Sequence, residues 1–332
     1  MRIMNKQLFI KAGLIIVFFW NLMSCNSFNG VTSSKDSLEI LVVREDGVSN
    51  ANFQIFKNHF FLPQKTITET ELTGDLYNLF DVIHINEKDF SEYFKGYANI
   101  IFLSTKDLFS VKNGQERWGK DQIVFHFSID SLGKEDEIQR ETVKLINKIK
   151  DAEIDRRIIN YKGRAKKEIN DFIKKEFRST ISLPNSFSIV DTMDNFIDVR
   201  RDFETGTHRF IITELANSDY SQKPLLINAI NIVSKENIQG EFAESFAQID
   251  DTHANVYIEE INNKKETLIE FRGLWKIEND PAPMGGPVLG YIIQDVDLKK
   301  SFLIAFYIFA PGEDKASHLV EAEAICKSFF KF

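Results

Sequence analysis

Short apolar runs alternate with segments of helix length in the first part of this chain. Each run is bounded by polar residues and is too short for a helix, so each predicts a buried strand. The segments between the runs, such as 48–61 and 87–96, predict helices that cover the sheet. The four strand-like runs are residues 38–43, 80–85, 99–103 and 122–127. Residues 38–135 are therefore predicted to form an α/β domain.

A long helical segment follows this domain. Apolar residues from Leu145 to Phe177 recur close to the helical period, with polar residues between them. Gly163 interrupts the pattern and either breaks the helix or is a tolerated weak point. We interpret residues 136–180 as a helical connector between two domains.

The last part of the chain has the pattern of an antiparallel sheet. Strand-like segments follow one another closely, and the turn sequence 204–207 joins two of them. A helix is predicted over 224–239, and an apolar stripe over 319–329 predicts a closing helix. The strand-like segments are 186–191, 196–203, 208–215, 256–261, 267–275, 288–294 and 302–309. Residues 181–332 are thus predicted to form an α+β domain, whose order of elements resembles that of small α+β domains of the photosystem-assembly PsbP type.

The N-terminus has the charge and hydropathy pattern of an export signal. Residues 1–11 carry three basic residues and no acidic one. Residues 12–20 are apolar but shorter than the roughly 20 residues of a bilayer-spanning helix. The following Leu22–Cys25 (LMSC) resembles the bacterial lipobox, which implies removal of residues 1–24 as a lipoprotein signal peptide and attachment of acyl chains such as palmitate to Cys25. An ordinary signal peptide or a buried apolar helix is the alternative.

The segment after Cys25 indicates how the fold is attached. Residues 25–37 are rich in Ser, Asn and Gly and predict a flexible tether. No acidic residue directly follows Cys25, which favours the periplasmic side, and we expect the outer rather than the inner membrane. Residues 144–178 hold 12 Lys or Arg against 6 Asp or Glu. This stretch could contact anionic lipid headgroups beside the anchor, or it could be a solvated helix face with i,i+4 charge pairs, which is the interpretation we favour.

Charge and cysteine content exclude several classes of protein. The formal net charge is −8, and it becomes −11 without the three basic residues of the signal. An acidic chain of this kind is not expected to bind nucleic acid. A hydrophobic content of 43% with 30 Phe supports a packed core. The chain has two cysteines, Cys25 and Cys326. If Cys25 is lipidated, Cys326 has no partner for a disulfide, and we expect Cys326 to be a buried, inert thiol.

Three short segments carry a family resemblance. They are Phe61–Gln64, Arg272–Trp275 (RGLW) and Met284–Pro287 (MGGP). Together with the lipobox, they resemble a Bacteroidetes lipoprotein family that is classed only as a domain of unknown function. The resemblance extends over most of the chain after the signal peptide. It implies no established activity and no cofactor.

Sequence signatures of the common catalytic classes are not found in this chain. It has no GxSxG, GxxxxGK[ST], HExxH or CxxC motif. The six histidines stand singly and are expected to be structural. The carboxylate pairs 250–251, 259–260 and 313–314 could perform acid–base chemistry only if they were held at a set separation, and we interpret them as solvated loop ends. We therefore predict no catalytic residue, no cofactor and no metal ligand.

The segment 272–287 is the best candidate for a binding surface. Residues 279–283 are expected to form an exposed loop because two prolines remove backbone donors. Trp and Arg are enriched at binding hot spots, and paired glycines allow close approach of another group. The alternative is that the tryptophan fills the core while the glycines shape a bulge between strands. The candidate residues are Arg272, Trp275, Met284, Gly285, Gly286 and Pro287.

These observations predict a non-enzymatic lipoprotein that binds or helps to assemble a component of the bacterial cell envelope. Its partners would be the membrane, through the N-terminal lipid, and an envelope protein. One alternative is an envelope hydrolase or transferase with an unrecognised site. Another is a small-ligand carrier, which would need a deep apolar pocket.

Overall fold

The computed structural model describes residues 38–60, 79–105, 118–119, 122–129, 135–216, 218–252, 256–262, 266–281, 284–295 and 300–329. The predicted signal peptide, Cys25, the tether and Phe61–Gln64 lie outside these residues. None of the helices in the described part is long and apolar enough to cross a membrane.

The N-terminal sheet has four strands at the four predicted positions, and all of them are parallel. They lie in the order β2-β1-β3-β4. Helix α1 (Asn50–Phe60) connects the first two strands and buries Phe53 and Phe56 against the sheet. The Ser49 hydroxyl caps this helix by accepting a hydrogen bond from the Asn52 amide at 3.1 Å. The strands are β1 (Glu39–Arg44), β2 (Asp81–Asn86), β3 (Asn99–Ser104) and β4 (Ile123–Ser128).

The helix predicted over 87–96 is wrong. Two short 3-10 helices, Glu87–Asp89 and Glu92–Gly96, occupy this segment, with extended backbone at Phe90 and Ser91 between them. The spacing of Phe90 and Phe94 suits a helix, but both rings pack on the face of the sheet opposite α1. The extended break lets both aromatic rings reach that face.

The segment interpreted as a connector forms two helices that belong to different cores. Helix α2 (Glu135–Tyr161) packs on the N-terminal sheet through residues such as Ile138, Leu145 and Ile149. Helix α3 (Lys167–Phe177) packs on the C-terminal sheet. Gly163 lies between them with φ of 72°, a left-handed conformation that favours glycine and ends the first helix.

The C-terminal sheet has eight strands, all antiparallel to their neighbours. The order is β5-β6-β7-β12-β11-β10-β8, and β9 pairs with another part of β10. The four-residue strand β8 was not predicted. The strands are β5 (Ser188–Met193), β6 (Phe196–Phe203), β7 (Gly206–Leu215), β8 (Phe246–Ile249), β9 (Tyr257–Asn262), β10 (Glu266–Glu278), β11 (Gly285–Asp295) and β12 (Lys300–Phe309).

Helices cover both faces of this sheet, so it is buried on two sides. Helix α4 (Lys223–Asn237) packs on one face through Leu226 and Ile230. Helices α3 and α5 (Ala316–Ser328) pack on the other face. The fold is therefore the predicted combination of an N-terminal sheet with helices and a C-terminal antiparallel sheet with a closing helix.

Helix α5 belongs to both cores. Leu319, Ala322 and Ile325 face the C-terminal sheet. Val320 and Ala324 face α2 and the N-terminal core. The closing helix thus joins the two halves of the molecule.

Candidate functional site

The candidate segment 272–287 forms two paired strands. Strands β10 and β11 place Gly286 opposite Trp275 and Gly285 opposite Lys276. Arg272 lies farther along β10, where it pairs with Leu289 of β11 and Tyr257 of β9. The RGLW and MGGP segments are therefore neighbours across one hairpin, although eight residues separate them in sequence.

Arg272 is buried in a network of charges and does not face solvent. Its Nη2 lies 2.8 Å from Oε2 of Glu323 on α5, and its Nε donates to Glu270. Lys150 and Lys327 contact the same Glu323 carboxylate at 3.0 and 2.7 Å. Burial alone would raise the pKa of Glu323, but the three cations outweigh burial and hold it below its usual range. Arg272 therefore links β10 to α5, and Glu323 extends the network to Lys150 of α2. The buried Arg272 side chain is not part of an exposed binding surface, which corrects its place among the candidate residues.

Trp275 is buried as well, with 4% of its surface exposed. Its ring packs edge-on against Tyr307, and its indole N–H donates to the Ile308 carbonyl at 3.1 Å. The position of Trp275 is thus the one expected if the tryptophan fills the core.

The two glycines allow neighbouring strands to approach closely. A Cβ on Gly285 would lie 2.4 Å from the Trp275 carbonyl oxygen, and a Cβ on Gly286 would lie 2.2 Å from that of Ile308. Any larger residue would push the strands apart. Pro287 is buried beside them. The close approach of the strands therefore explains why both positions are glycine, without a bound ligand.

Met284 is half-buried and lies where two depressions meet at the surface. The larger depression is open to solvent and has a volume of about 640 Å³, and the smaller one has a volume of about 90 Å³. Both are lined by Trp275, Ile277 and Met284. We call the two depressions together the Met284 groove. Of the candidate residues, Met284 is the one whose side chain lies over this apolar floor while remaining accessible.

The two ends of the Met284 groove differ in charge. Asp250, Glu278 and Asp280 line the larger depression, where Lys276 partly offsets them. Arg200 and Arg209 line the smaller one. Arg209 is bound to the buried Asp198 and to the Asn237 carbonyl, whereas Arg200 pairs with the exposed Asp202 at 2.7 Å. Since an exposed ion pair is weak, Arg200 can exchange this partner for an incoming carboxylate.

A second constellation joins two histidines that are 110 residues apart. His208 on β7 and His318 on α5 are connected by a hydrogen bond of 2.9 Å between Nε2 and Nδ1. His318 Nε2 lies 2.7 Å from Glu313, and His208 Nδ1 lies 2.7 Å from Arg201 on β6. Arg201 also donates to both oxygens of Glu321, at 2.9 and 2.6 Å. The chain of hydrogen bonds runs from the buried His208 to the partly exposed Glu313.

Arg201 fixes the direction of this chain because a guanidinium only donates. His208 must accept at Nδ1, so its proton is on Nε2 and is donated to His318. His318 then accepts at Nδ1 and donates from Nε2 to Glu313. Burial, with Arg201 and His318 close by, lowers the pKa of His208 to about 2, so both the geometry and the pKa favour a neutral ring. All four ring nitrogens are engaged, and neither histidine offers a nitrogen to a substrate or metal.

This pair was not predicted from the sequence, although the position of His208 carried a signal. His208 shares the inward-facing parity of Phe210 and Ile212 along β7, which marks it as a core position. His318 precedes the apolar stripe of α5. Nothing in the two local patterns indicates that these residues meet, because that depends on how α5 crosses the sheet.

The carboxylate pairs do not come together in one site. Asp250 follows β8 beside Leu274, Glu259 lies opposite Glu270 on β10, and Glu313 binds His318. Among the described residues, no group of three or more His, Cys, Asp or Glu is placed to hold a metal ion. Cys326 is fully buried, and burial raises the pKa of its thiol well above the usual range.

Comparisons with known proteins match part of the chain. Residues 166–328 match the model of a family described as "Domain of unknown function (DUF4837)". This span covers α3, the antiparallel sheet and α5, and the match confirms the resemblance to a domain of unknown function for that part. No curated protein matches the chain. Among solved structures, a mutant of the protein Mog1 is similar, with 11% identity, coverage of 45% of this chain and 85% of that chain, and a TM-score of 0.28.

Proposed function

We propose that this protein is a lipid-anchored, non-enzymatic binding module of the bacterial cell envelope, which holds a partner protein in the Met284 groove. Residues 1–24 and the lipobox support an anchor at Cys25. The short tether supports a position near the membrane, and the sequence after Cys25 favours the periplasmic face of the outer membrane. The observation that carries the binding role is the groove itself.

The size of the groove favours a protein segment over a small ligand. The smaller part has a volume of about 90 Å³, whereas small-ligand pockets typically have volumes of about 300–1,000 Å³. It accommodates one small side chain but not an acyl chain or a drug-sized ligand. The larger part is open on one side, which suits a segment of polypeptide lying across Met284. A side chain inserted into a small pocket at the centre of a wider contact is how hot spots in protein interfaces are built.

The charges at the two ends define the partner further. A cationic side chain would meet the three carboxylates of the larger depression, and an acidic one would meet Arg200 at the other end. A small apolar side chain would lie between them, over Ile277 and Met284. We therefore propose a segment with one basic and one acidic residue on either side of an apolar residue.

In-cell crosslinking of the intact protein with matched variants tests this role. Met284→Lys places a charge over the apolar floor and is expected to abolish capture of the partner. Met193→Lys introduces the same charge at the exposed edge strand β5, where 53% of the methionine is exposed, and is expected to leave capture unchanged. Equal capture by wild type and Met284→Lys would contradict the groove as the binding site.

Membrane fractionation tests the anchor separately. Cys25→Ser removes the thiol that the lipid requires, so this variant is expected to leave the membrane fraction or to remain as an unprocessed precursor of higher mass. A fully processed variant that remains as membrane-bound as wild type would contradict lipidation of Cys25.

A further inference from the structure

The turn between α2 and α3 concentrates positive charge on an acidic protein. Residues 162–167 read Lys-Gly-Arg-Ala-Lys-Lys, whereas the whole chain has a formal charge of −8. Lys162, Arg164 and Lys167 are exposed, and Lys166 is half-buried and donates to Ser188 at 2.6 Å. We call residues 162–167 the basic turn. Its left-handed Gly163 separates α2 from α3, and the four cations lie within six consecutive residues at this corner of the molecule.

An exposed apolar side chain lies beside the basic turn. Ile159 is one helical turn before Lys162 and has 63% of its surface exposed, the second-highest value among the large apolar side chains of the described residues. The combination of Lys or Arg with an exposed aliphatic residue is typical of surfaces that contact lipid headgroups and the adjoining acyl boundary. Asp155 and Glu168 are also exposed nearby and reduce the net charge of this corner without cancelling it.

The point at which the predicted tether enters the fold is at the same end of the molecule. Asn99 donates to the backbone carbonyl of Glu39, the first residue of β1, at 3.4 Å. Asn99 accepts from Arg156 of α2 at 2.7 Å. Lys162 follows Arg156 by six residues, which is about 9 Å along a helix. The end of the tether and the basic turn are thus connected through two side chains.

We propose that the basic turn and Ile159 contact anionic lipid headgroups of the membrane and orient the folded part against it. This inference rests on the proposed membrane attachment and adds the face that meets the lipid. The predicted tether, residues 25–37, ends just before β1, and the basic turn lies at this end of the fold. Each cation near an anionic leaflet strengthens such a contact about fivefold.

The test uses the full chain with Cys25→Ser and one fluorescent probe. The environment-sensitive dye NBD is attached at Ile159→Cys, and Cys326 stays unlabelled because it is fully buried. Residues 12–20 are apolar and are expected to hold the chain on both kinds of vesicle. The dye then reports the orientation of the folded part and not whether the chain binds. Vesicles contain either phosphatidylcholine alone or equal parts of phosphatidylcholine and phosphatidylglycerol. Lys166 of the basic turn contacts Ser188 at the start of β5, and Met193 lies at the other end of this strand, roughly 16 Å away. A probe at Met193→Cys therefore serves as the control position.

The emission of the probe at position 159 is expected to rise only on the vesicles that contain phosphatidylglycerol. It should decrease again at high salt concentration, which screens the charges. Lys162→Glu with Arg164→Glu and Lys167→Glu should lower the ratio of docked to undocked molecules on the order of a hundredfold or more. Arg140→Glu with Lys144→Glu and Lys148→Glu makes the same charge change on the other half of α2 and should have little effect. The six side chains changed in the two triple variants are all exposed, so both variants are expected to fold.

Equal emission on the two kinds of vesicle, or an unchanged signal after reversal of the basic turn, would overturn the proposal. Because this chain carries no lipid on residue 25, the result does not depend on whether Cys25 is acylated. Failure of the anchor and failure of the lipid-facing turn are therefore distinguished by fractionation and by fluorescence, respectively.

Discussion

At the scale of single residues, Arg201 controls the protonation of its neighbours. It binds Glu321 through two nitrogens and uses the remaining Nη2 hydrogen for His208. A proton on His208 Nδ1 would face this donor and break the chain of hydrogen bonds that leads to His318 and Glu313. Phe203 and Phe306 pack against the His208 ring and exclude water from it. The link between β7 and α5 therefore requires a neutral imidazole.

This requirement predicts that the protein becomes less stable as the pH decreases. The unfolded chain protonates His208 below the ordinary pKa of about 6.5, whereas the folded chain does so only near pH 2. The unfolded state thus binds more protons in this window, so the contribution of His208 to stability is present above about pH 6.5 and is lost as the pH decreases. Between about pH 7.5 and pH 5, the free energy of unfolding should decrease by about 2 kcal/mol from this group.

Urea unfolding of wild type and His208→Gln at the two pH values measures this contribution. The variant is expected to have a smaller decrease, with a remainder from groups such as His84, whose pKa is also lowered, chiefly by burial. An equal decrease in the two proteins would show that His208 is not responsible. NMR of the imidazole nitrogens provides an independent check, since His208 should carry its proton on Nε2.

At the scale of elements, the β10–β11 hairpin depends on close approach of the backbone. Gly286 and Gly273 lie in neighbouring strands but differ in the space around them. A Cβ on Gly286 would lie 2.2 Å from a backbone oxygen, whereas one on Gly273 would meet the Val256 side chain at 3.4 Å. The first contact requires a backbone shift, and the second is an ordinary van der Waals contact.

We therefore expect Gly286→Ala to lower the free energy of unfolding by about 1–3 kcal/mol, as overpacking does. Gly273→Ala should change it by less than about 1 kcal/mol, since alanine costs a strand less conformational entropy than glycine. Chemical denaturation of the two variants compares them directly. A larger loss for Gly273→Ala would contradict the register of this hairpin.

Most elements follow from local patterns, and the exceptions have identifiable causes. The buried strands β1, β3 and β4 are continuous apolar runs, so their burial on both faces is readable from sequence. The short strand β8 was missed because four residues give too little alternation, and its pairing depends on the length of β10. The error at 87–96 arose because Phe90 and Phe94 satisfy a helical spacing while packing on a sheet.

The candidate site was less predictable because it depends on contacts between distant segments. The RGLW and MGGP segments were singled out from the sequence, and the glycine pair was readable as a close approach, but the hairpin that pairs the two segments was not predicted. The partner of Arg272, however, is Glu323 on α5, 51 residues later, and no local pattern indicates that pairing. An arginine placed in an apolar strand could have been interpreted as a buried ion pair instead of an exposed hot spot.

At the scale of the whole molecule, α5 couples the two sheets. Ile325 lies in the core of the C-terminal sheet and Val320 in the core of the N-terminal sheet. Glu323 on the same helix binds Arg272 of β10 and Lys150 of α2. Disruption of either core therefore disturbs a helix that the other core needs.

We expect this coupling to produce one cooperative unfolding transition for the described part of the chain. Ile325→Ala and Val320→Ala should each lower the stability by about 1–5 kcal/mol through the cavity they create. Both variants should shift the same calorimetric transition to lower temperature. Two resolved transitions, with each variant shifting a different one, would indicate that the halves unfold independently.

The most direct test of the proposed function is photocrosslinking from inside the Met284 groove in living cells. A photoreactive amino acid at Gln239, an exposed residue lining the smaller depression, is compared with one at Met193 on the opposite edge of the sheet. We predict that position 239 captures one recurrent envelope protein, that position 193 does not, and that Met284→Lys abolishes the capture. The same products from both positions, or none from position 239, would contradict a binding role for the groove.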